Sequence, residues 1–139
     1  MKPQGSRGFT DWVSDRGNSV KRILIVDDAI TMRQLVAATL KSAGYEVVDA
    51  RDGKDAITKL ENDRFNLIIS DLNMPNMDGI TLIKEVKNMA KHKFTPIIML
   101  TTESQAEKKE EGRRAGAKAW IVKPFKPADL LAVVKKIVP

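Results

Sequence analysis

The chain has 139 residues, a length that suggests one domain with a core large enough to fold without cross-links. It contains no cysteine, which excludes disulfide bonds and thiolate metal sites and fits a reducing cytoplasm. The formal net charge is +6, but the basic residues are interspersed with acidic ones at helical spacings, which favours a solvated surface over a nucleic-acid site.

The first segment, 1–20, has the composition of a flexible extension. It is rich in glycine, serine and charge, and Phe9, Trp12 and Val13 are isolated apolar residues within it. A short partner-binding helix around Phe9–Val13 is the alternative interpretation. The segment lacks the apolar region of a signal peptide, and no stretch of the sequence approaches the roughly 20 apolar residues that span a bilayer. We therefore expect a cytoplasmic protein whose folded domain covers 21–139.

From Lys21 onward, apolar runs typical of strands alternate with segments of helical periodicity. The predicted strands are, in chain order, RILIV, YEVVDA, FNLIISD, TPIIMLT and KAWIVK. The helices predicted after them are ITMRQLVAATLKSAG, GKDAITKLENDR, GITLIKEVKNMAK, ESQAEKKEEGRRAGA and KPADLLAVVKKIV. Because parallel strands need crossover connections, this strict alternation predicts an α/β fold with a five-stranded parallel sheet covered by helices on both faces.

Helical spacing also predicts which side chains face the core. The inward positions of the first, third and fifth helices are Met32, Leu35, Val36, Thr39, Leu40, Ile80, Ile83, Val86, Met89, Leu130, Leu131, Val134 and Ile137. The fourth helix is polar and has little more than alanines to bury, so we expect it to be weakly held. The single histidine, His92, falls in a polar tail of the third helix, away from the strand ends.

Four of the predicted strands end in residues that could build a site. Asp27 and Asp28 end the first strand, Asp71 the third, Thr101 the fourth and Lys123 the fifth. Taken singly, each could be a helix cap, an ordinary strand end or a surface lysine. Because ligands of open α/β sheets bind outside the carboxyl ends of the strands, we expect these side chains to converge.

The residue types at these strand ends indicate a chemistry. Crowded carboxylates repel one another unless a cation compensates them, and oxygen ligands suit Mg²⁺ rather than zinc. A carboxylate, a lysine and a hydroxyl beside such an ion suit phosphoryl transfer. Asp71 would accept the phosphoryl group, Lys123 would pair with its oxygens, and Thr101 would donate a hydrogen bond to it.

Four stretches, ILIVDDAITMRQLV, IISDLNMPNMDG, IIMLTTES and AWIVKPF, together resemble the receiver domain of two-component response regulators. The single-domain, CheY-like chemotaxis receivers are the most similar type. The resemblance covers about Lys21–Pro139. It implies the flavodoxin-like strand order 2-1-3-4-5 for the five-stranded sheet with its five helices.

The resemblance implies a role for each strand-end residue. Asp71 corresponds to the phosphoacceptor and Asp27 and Asp28 to the acidic metal pair. The backbone carbonyl of Asn73 would complete a site for Mg²⁺ or Mn²⁺. Asn73 and Glu103 would also assist the attack of water on the acyl phosphate, which implies rapid self-dephosphorylation.

The remaining correspondences include two departures from the family pattern. Thr101 corresponds to the switch hydroxyl, and Lys123 to the phosphate-binding lysine, joined to Pro124 by a cis peptide bond. The next position after the switch hydroxyl, commonly alanine or glycine, is Thr102, whose bulk could narrow access to the phosphoacceptor. The switch aromatic, usually tyrosine or phenylalanine, is Trp120. It is either a two-position switch side chain or a half-buried packing residue.

The resemblance implies a monomeric signalling switch rather than an enzyme. A histidine kinase would supply the phosphoryl group, and a target such as a flagellar motor component would bind the face formed by the fourth helix, fifth strand and fifth helix. The sequence ends directly after that helix, which favours a stand-alone switch over a receiver of another two-component or phosphorelay pathway. A phosphatase with an aspartate nucleophile would need a second aspartate where Asn73 stands, and the acidic DDAITM stretch disfavours a flavin phosphate.

Overall fold

A computed structural model describes residues 20–139 of the chain. The extension predicted for 1–20, apart from Val20, and the alternative helix around Phe9–Val13 lie outside the described residues. The elements are β1 (Arg22–Val26), α1 (Ile30–Ser42), β2 (Glu46–Ala50), α2 (Gly53–Asn62), β3 (Leu67–Ser70), α3 (Gly79–Lys87), β4 (Ile97–Thr101), α4 (Ala106–Ala115), β5 (Ala119–Val122) and α5 (Pro127–Ile137). Within 20–139, none of the helices is long and apolar enough to cross a membrane.

The five strands form one parallel sheet in the order β2-β1-β3-β4-β5, which confirms the predicted fold class. The three central strands are continuous apolar runs because helices cover both of their faces. The edge strands β2 and β5 are only partly buried, and their sequences are correspondingly more mixed. The order places β1 and β3 side by side, with β4 next to β3.

The sheet separates two apolar clusters. Alternate residues of β1 show the division: Leu24 and Val26 point into one cluster, and Ile23 and Ile25 into the other. The first cluster joins the sheet to α2 and α3, with Ala115 of α4 at its margin, and the second joins it to α1 and α5. Each fully buried aliphatic side chain contributes about 1.5–3 kcal/mol through removal of apolar surface from water.

Two of the helices begin with aspartate caps, but α1 does not. Asp52 accepts a hydrogen bond from the Asp55 N–H at the start of α2, and Asp78 accepts one from the Thr81 N–H at the start of α3. Each such cap stabilises its helix by about 1 kcal/mol. The N-cap of α1 is Ala29, without a side-chain cap, so the aspartates that follow β1 do not serve that helix as caps.

Two core predictions are wrong. Leu35 was predicted to face inward, but it is 47% exposed, because it lies at the margin of the α1 stripe formed by Val36, Thr39 and Leu40. His92 was predicted in a polar helix tail, but α3 ends at Lys87 and the imidazole is buried in the turn that follows.

His92 is buried as a hydrogen-bond acceptor. Its Nε2 accepts a hydrogen bond of 3.2 Å from the Phe65 N–H, which closes the approach to β3 at the end of the sheet opposite the strand-end aspartates. Burial lowers the pKa of the His92 imidazole, and the positive charges of Lys91 and Arg64 lower it further. Protonation therefore opposes folding here.

We expect acidification to destabilise the fold through His92. In the folded protein the pKa of His92 is depressed below its unfolded value of about 6.5, so on acidification the unfolded chain takes up the proton first. The free energy of unfolding is therefore highest above about pH 6.5 and decreases as the pH falls below that value. Urea unfolding at about pH 7.5 and about pH 5.5 measures the loss. In His92→Gln, whose amide oxygen can still accept from Phe65, this pH dependence should shrink. An equal dependence in both proteins would contradict the assignment.

Candidate functional site

Backbone hydrogen bonds align the strand ends on one edge of the sheet. The N–H of Asp71 donates to the carbonyl of Val26 over 2.9 Å, which brings the end of β3 beside Asp27. The N–H of Lys123 donates to the carbonyl of Thr101 over 2.8 Å and extends the pairing of β4 with β5. The parallel register therefore carries the polar residues after these strands to a common edge, as the sequence predicts.

The three aspartates at this edge form a compact acidic cluster. Asp27, Asp28 and Asp71 each offer one carboxylate oxygen, and these oxygens lie within 4.8 Å of one another. Asp27 is buried, Asp28 is exposed and Asp71 is partly buried. Three oxygen donors that are open to solvent on one side suit Mg²⁺, which prefers oxygen ligands and keeps several of its waters.

Lys123 compensates part of this negative charge. Its Nζ lies 2.8 Å from Asp27 Oδ2 and 3.3 Å from Asp71 Oδ2, and its side chain is only 10% exposed. One ammonium against three carboxylates leaves two negative charges uncompensated, which matches a divalent cation. The peptide bond between Lys123 and Pro124 is cis. Lys123 is thus an inward-facing partner of the acids rather than a surface lysine.

The backbone around Asp71 is held closely. The Leu72 N–H donates to Asp71 Oδ1 over 2.7 Å, and the Gly79 N–H donates to the Leu72 carbonyl over 2.8 Å. A side chain at Gly79 would collide with the Asp71 carbonyl oxygen, so the start of α3 reaches this strand end only because residue 79 has no Cβ. Asn73 is exposed in the loop between them.

Glu103 connects the switch candidates on β4 and β5. Its N–H donates to Thr101 Oγ1 over 3.3 Å, and its carbonyl accepts from Trp120 Nε1 over 2.9 Å. Its carboxylate accepts from the Gln105 N–H at the start of α4. Thr101 is fully buried, whereas Thr102 is exposed. A displacement of Thr101 would therefore act on Trp120 through a single shared residue.

Trp120 packs against a glycine of α4. A Cβ built on Gly112 would lie 2.6 Å from Trp120 Cζ3. The indole therefore occupies the space that a side chain at position 112 would need. Gly112 is the buried residue of α4, consistent with the prediction that this helix packs little apolar surface. The half-buried position agrees with the packing interpretation of Trp120, and its hydrogen bond to Glu103 joins it to the loop after Thr101. The role of a two-position switch side chain stays a prediction.

Sequence reasoning did not identify three residues that shape this site, namely Gly79, Gly112 and Arg33. The two glycines matter because atoms of other elements approach them closely, which the local sequence pattern does not show. Arg33 donates from Nη1 to the Asp27 carbonyl oxygen over 2.7 Å. One sequence signal pointed to it, namely a cation shortly after the acidic pair in the otherwise uncharged first half of α1.

Comparisons with known proteins agree with this architecture. The family model of the response regulator receiver domain matches residues 23–135. The chemotaxis protein CheY-3 of Vibrio cholerae is 38% identical over 121 residues, which cover 86% of this chain and 93% of that protein. These matches confirm the resemblance inferred from the four sequence stretches.

Solved structures are similar as well. CheY4 of Vibrio cholerae, a chemotaxis response regulator, superposes with a TM-score of 0.82 at 48% identity, covering 86% of this chain and 100% of that one. The response regulator TrrA of Thermotoga maritima, solved in complex with Mg(2+)-BeF, has a TM-score of 0.77 at 34% identity and covers 86% of this chain and 100% of its own.

We expect Gly112→Ala to destabilise the protein although alanine favours helices. The gain in helix propensity is about 1 kcal/mol, and forcing a methyl group against the indole costs about 1–3 kcal/mol. Urea unfolding of Gly112→Ala measures the balance, and the double variant with Trp120→Phe should recover stability because the smaller ring leaves room. Stabilisation by the single substitution would show that the contact is not tight.

Proposed function

The chain belongs to the response regulator receiver domain family, and on that basis we propose that it is a phosphorylation-dependent signalling switch in which Asp71 accepts a phosphoryl group from a histidine kinase. The observation that carries the proposal is the ammonium of Lys123 placed between Asp27 and Asp71 at the carboxyl edge of the sheet. The receiver domain would extend over 21–139, with 1–20 as an extension. It acts as a monomer, and the cysteine-free sequence supports a cytoplasmic location.

The proposed reaction is an in-line displacement at phosphorus. A carboxylate oxygen of Asp71 attacks the phosphorus of a phosphohistidine, so a P–O bond forms while the P–N bond breaks and its electron pair stays on the imidazole nitrogen. Lys123 is already 3.3 Å from Asp71 Oδ2 and pairs with the arriving phosphoryl oxygens. The product is an acyl phosphate on the side chain.

The acidic cluster is the proposed metal site. Asp27, Asp28 and Asp71 supply carboxylate oxygens and Asn73 a backbone carbonyl, and the ion would be Mg²⁺, with Mn²⁺ as the alternative. When bound, the ion neutralises negative charge on the phosphoryl oxygens. Support comes from the spacing of the three carboxylates and from the similar TrrA, which was solved with Mg(2+)-BeF.

Phosphorylation would alter the surface through Glu103. The new group adds a charge of about −1.5 to −2, which draws the Thr101 hydroxyl toward it as a donor. The Thr101 hydroxyl accepts from the Glu103 N–H, and the Trp120 indole donates to the Glu103 carbonyl. A movement of Thr101 would therefore shift Glu103 and with it the loop before α4. The helix buries little and offers little resistance. The face formed by α4, β5 and α5 is the proposed output surface.

The proposed target of that surface is a chemotaxis component such as a flagellar motor protein. The similarity to CheY-3 and CheY4 of Vibrio cholerae, whose names place them in chemotaxis, supports it. The same phosphoryl chemistry would serve a receiver in another two-component or phosphorelay pathway. Identification of the partner that binds only the phosphorylated protein distinguishes a chemotaxis switch from a receiver of another pathway.

Incubation with acetyl phosphate and Mg²⁺ tests the proposed chemistry. We expect intact mass spectrometry to show the gain of one phosphoryl group, abolished by chelation of Mg²⁺ and by Asp71→Asn. Asp78→Asn is the matched control, because asparagine also caps α3 and the substitution removes a nearby carboxylate without touching the cluster. Absence of the mass gain in the parent protein, or its persistence in Asp71→Asn, would overturn the proposal.

The lifetime of the acyl phosphate tests the proposed roles of Asn73 and Glu103. If their side chains assist the attack of water, the parent protein should lose its phosphoryl group within seconds to minutes. Asn73→Ala keeps the backbone carbonyl proposed for the metal but should lengthen this lifetime several-fold, as should Glu103→Ala. Phosphate release after removal of the donor measures it. A parent lifetime of hours would refute the assistance by these residues.

A further inference from the structure

Arg33 of α1 links the end of β1 to β2. Its Nη1 donates to the backbone carbonyl of Asp27 over 2.7 Å, and its Nε lies 2.9 Å from Asp49 Oδ2. The guanidinium side chain is only 14% exposed, whereas the carboxylate of Asp49 is 54% exposed. The planar fork of an arginine allows one side chain to hold both partners in fixed directions.

This contact completes the immobilisation of Asp27. The Asp27 N–H donates to Ala50, its Oδ1 accepts from the Ala29 N–H over 2.9 Å, and its Oδ2 accepts from Lys123. Its carbonyl lies beyond the last residue of β1 and is bound by Arg33. Every polar group of this buried residue therefore has a partner, and each partner comes from a different part of the fold or of the loop.

The carbonyl that Arg33 binds belongs to the peptide group joining Asp27 to Asp28. A buried carbonyl without a partner is destabilising, and rotation of the peptide group is the simplest way to recover a partner. That rotation would also turn the backbone of Asp28, whose carboxylate is exposed at the cluster. The orientation of both aspartates thus depends on one arginine that lies outside the cluster.

The positive charge of Arg33 opposes cation binding, whereas its contact with the Asp27 carbonyl would favour it, so the two effects can be separated by experiment. A cation beside a cation site weakens binding by Coulomb repulsion, although here Asp49 offsets much of that charge. If Arg33 acted only as a charge, its neutralisation would strengthen Mg²⁺ binding. If it acts by holding the peptide group, the same substitution would weaken binding. The two roles predict effects of opposite sign.

We propose that Arg33 is a positioning residue for the cation site. Without contacting the ion itself, Arg33 holds the Asp27–Asp28 peptide group so that both carboxylates face the ion. The inference rests on the proposed function, because it concerns the metal that function requires. Outer partners of metal ligands typically change metal affinity by about 10–100-fold when they are replaced. A lysine has the charge but not the fork, so it cannot reproduce both contacts.

Calorimetric titration of the full chain with Mg²⁺ tests this role. We expect Arg33→Gln and Arg33→Lys each to weaken Mg²⁺ binding by about tenfold or more. Lys41→Gln is the matched control, since it removes one charge from an exposed position on the same helix and should leave the affinity unchanged. Tighter binding by Arg33→Gln together with parent-like binding by Arg33→Lys would overturn the proposal. Arg33→Lys decides the matter if Arg33→Gln does not fold.

A second readout separates this inference from the proposed function. The Mg²⁺ concentration that gives half-maximal phosphorylation of Asp71 by acetyl phosphate should rise in Arg33→Lys in proportion to the loss of Mg²⁺ affinity. Equal Mg²⁺ affinity of Arg33→Lys and the parent, with normal phosphorylation, would overturn the role of Arg33 alone. A parent protein that binds Mg²⁺ more tightly than Arg33→Lys but takes up no phosphoryl group would overturn the proposed function alone.

Discussion

The pairing of one buried ammonium with two carboxylates is the interaction on which this edge of the sheet depends. Lys123 lies between Asp27 and Asp71, and without it three aspartates would face one another at close range. An incompletely compensated cluster is poor for stability, because buried like charges repel. It suits the proposed function, because the residual negative charge favours a divalent cation, and Lys123 is already close enough to Asp71 to pair with an incoming phosphoryl group.

The parallel sheet supplies the precision that such a cluster needs. Backbone hydrogen bonds continue the pairing of β1, β3 and β5 beyond their last residues, so the side chains that follow these strands have fixed positions. Glu103 extends the same principle to the loop after β4, where one residue is bound through its N–H, its carbonyl and its side chain. Adjacent strands thus position both the proposed reacting groups and the proposed switch residues.

Most of the fold and the convergence of polar residues at one edge of the sheet could be predicted from the sequence because both depend on local patterns. The continuous apolar runs of β1, β3 and β4 indicate strands covered on both faces, and the polar residues directly behind them mark the edge where a site can form. The features that escaped prediction depend on contacts between different elements of the fold, which local patterns do not show. His92 is buried and accepts a hydrogen bond from Phe65, and Arg33 of α1 binds the carbonyl of Asp27, which lies just beyond the end of β1.

The close fit between Gly112 and Trp120 also restricts how this sequence can change over generations. The two positions share one volume, so an indole on β5 is compatible with a residue on α4 that has no side chain. A lineage that exchanges this pair for a smaller aromatic ring and an alanine has a preferred order of steps. Shrinking the ring first leaves a tolerable cavity, whereas enlarging the glycine first creates a collision. The substitution that either site tolerates therefore depends on the residue already present at the other, although the two sites lie 8 positions apart along the chain.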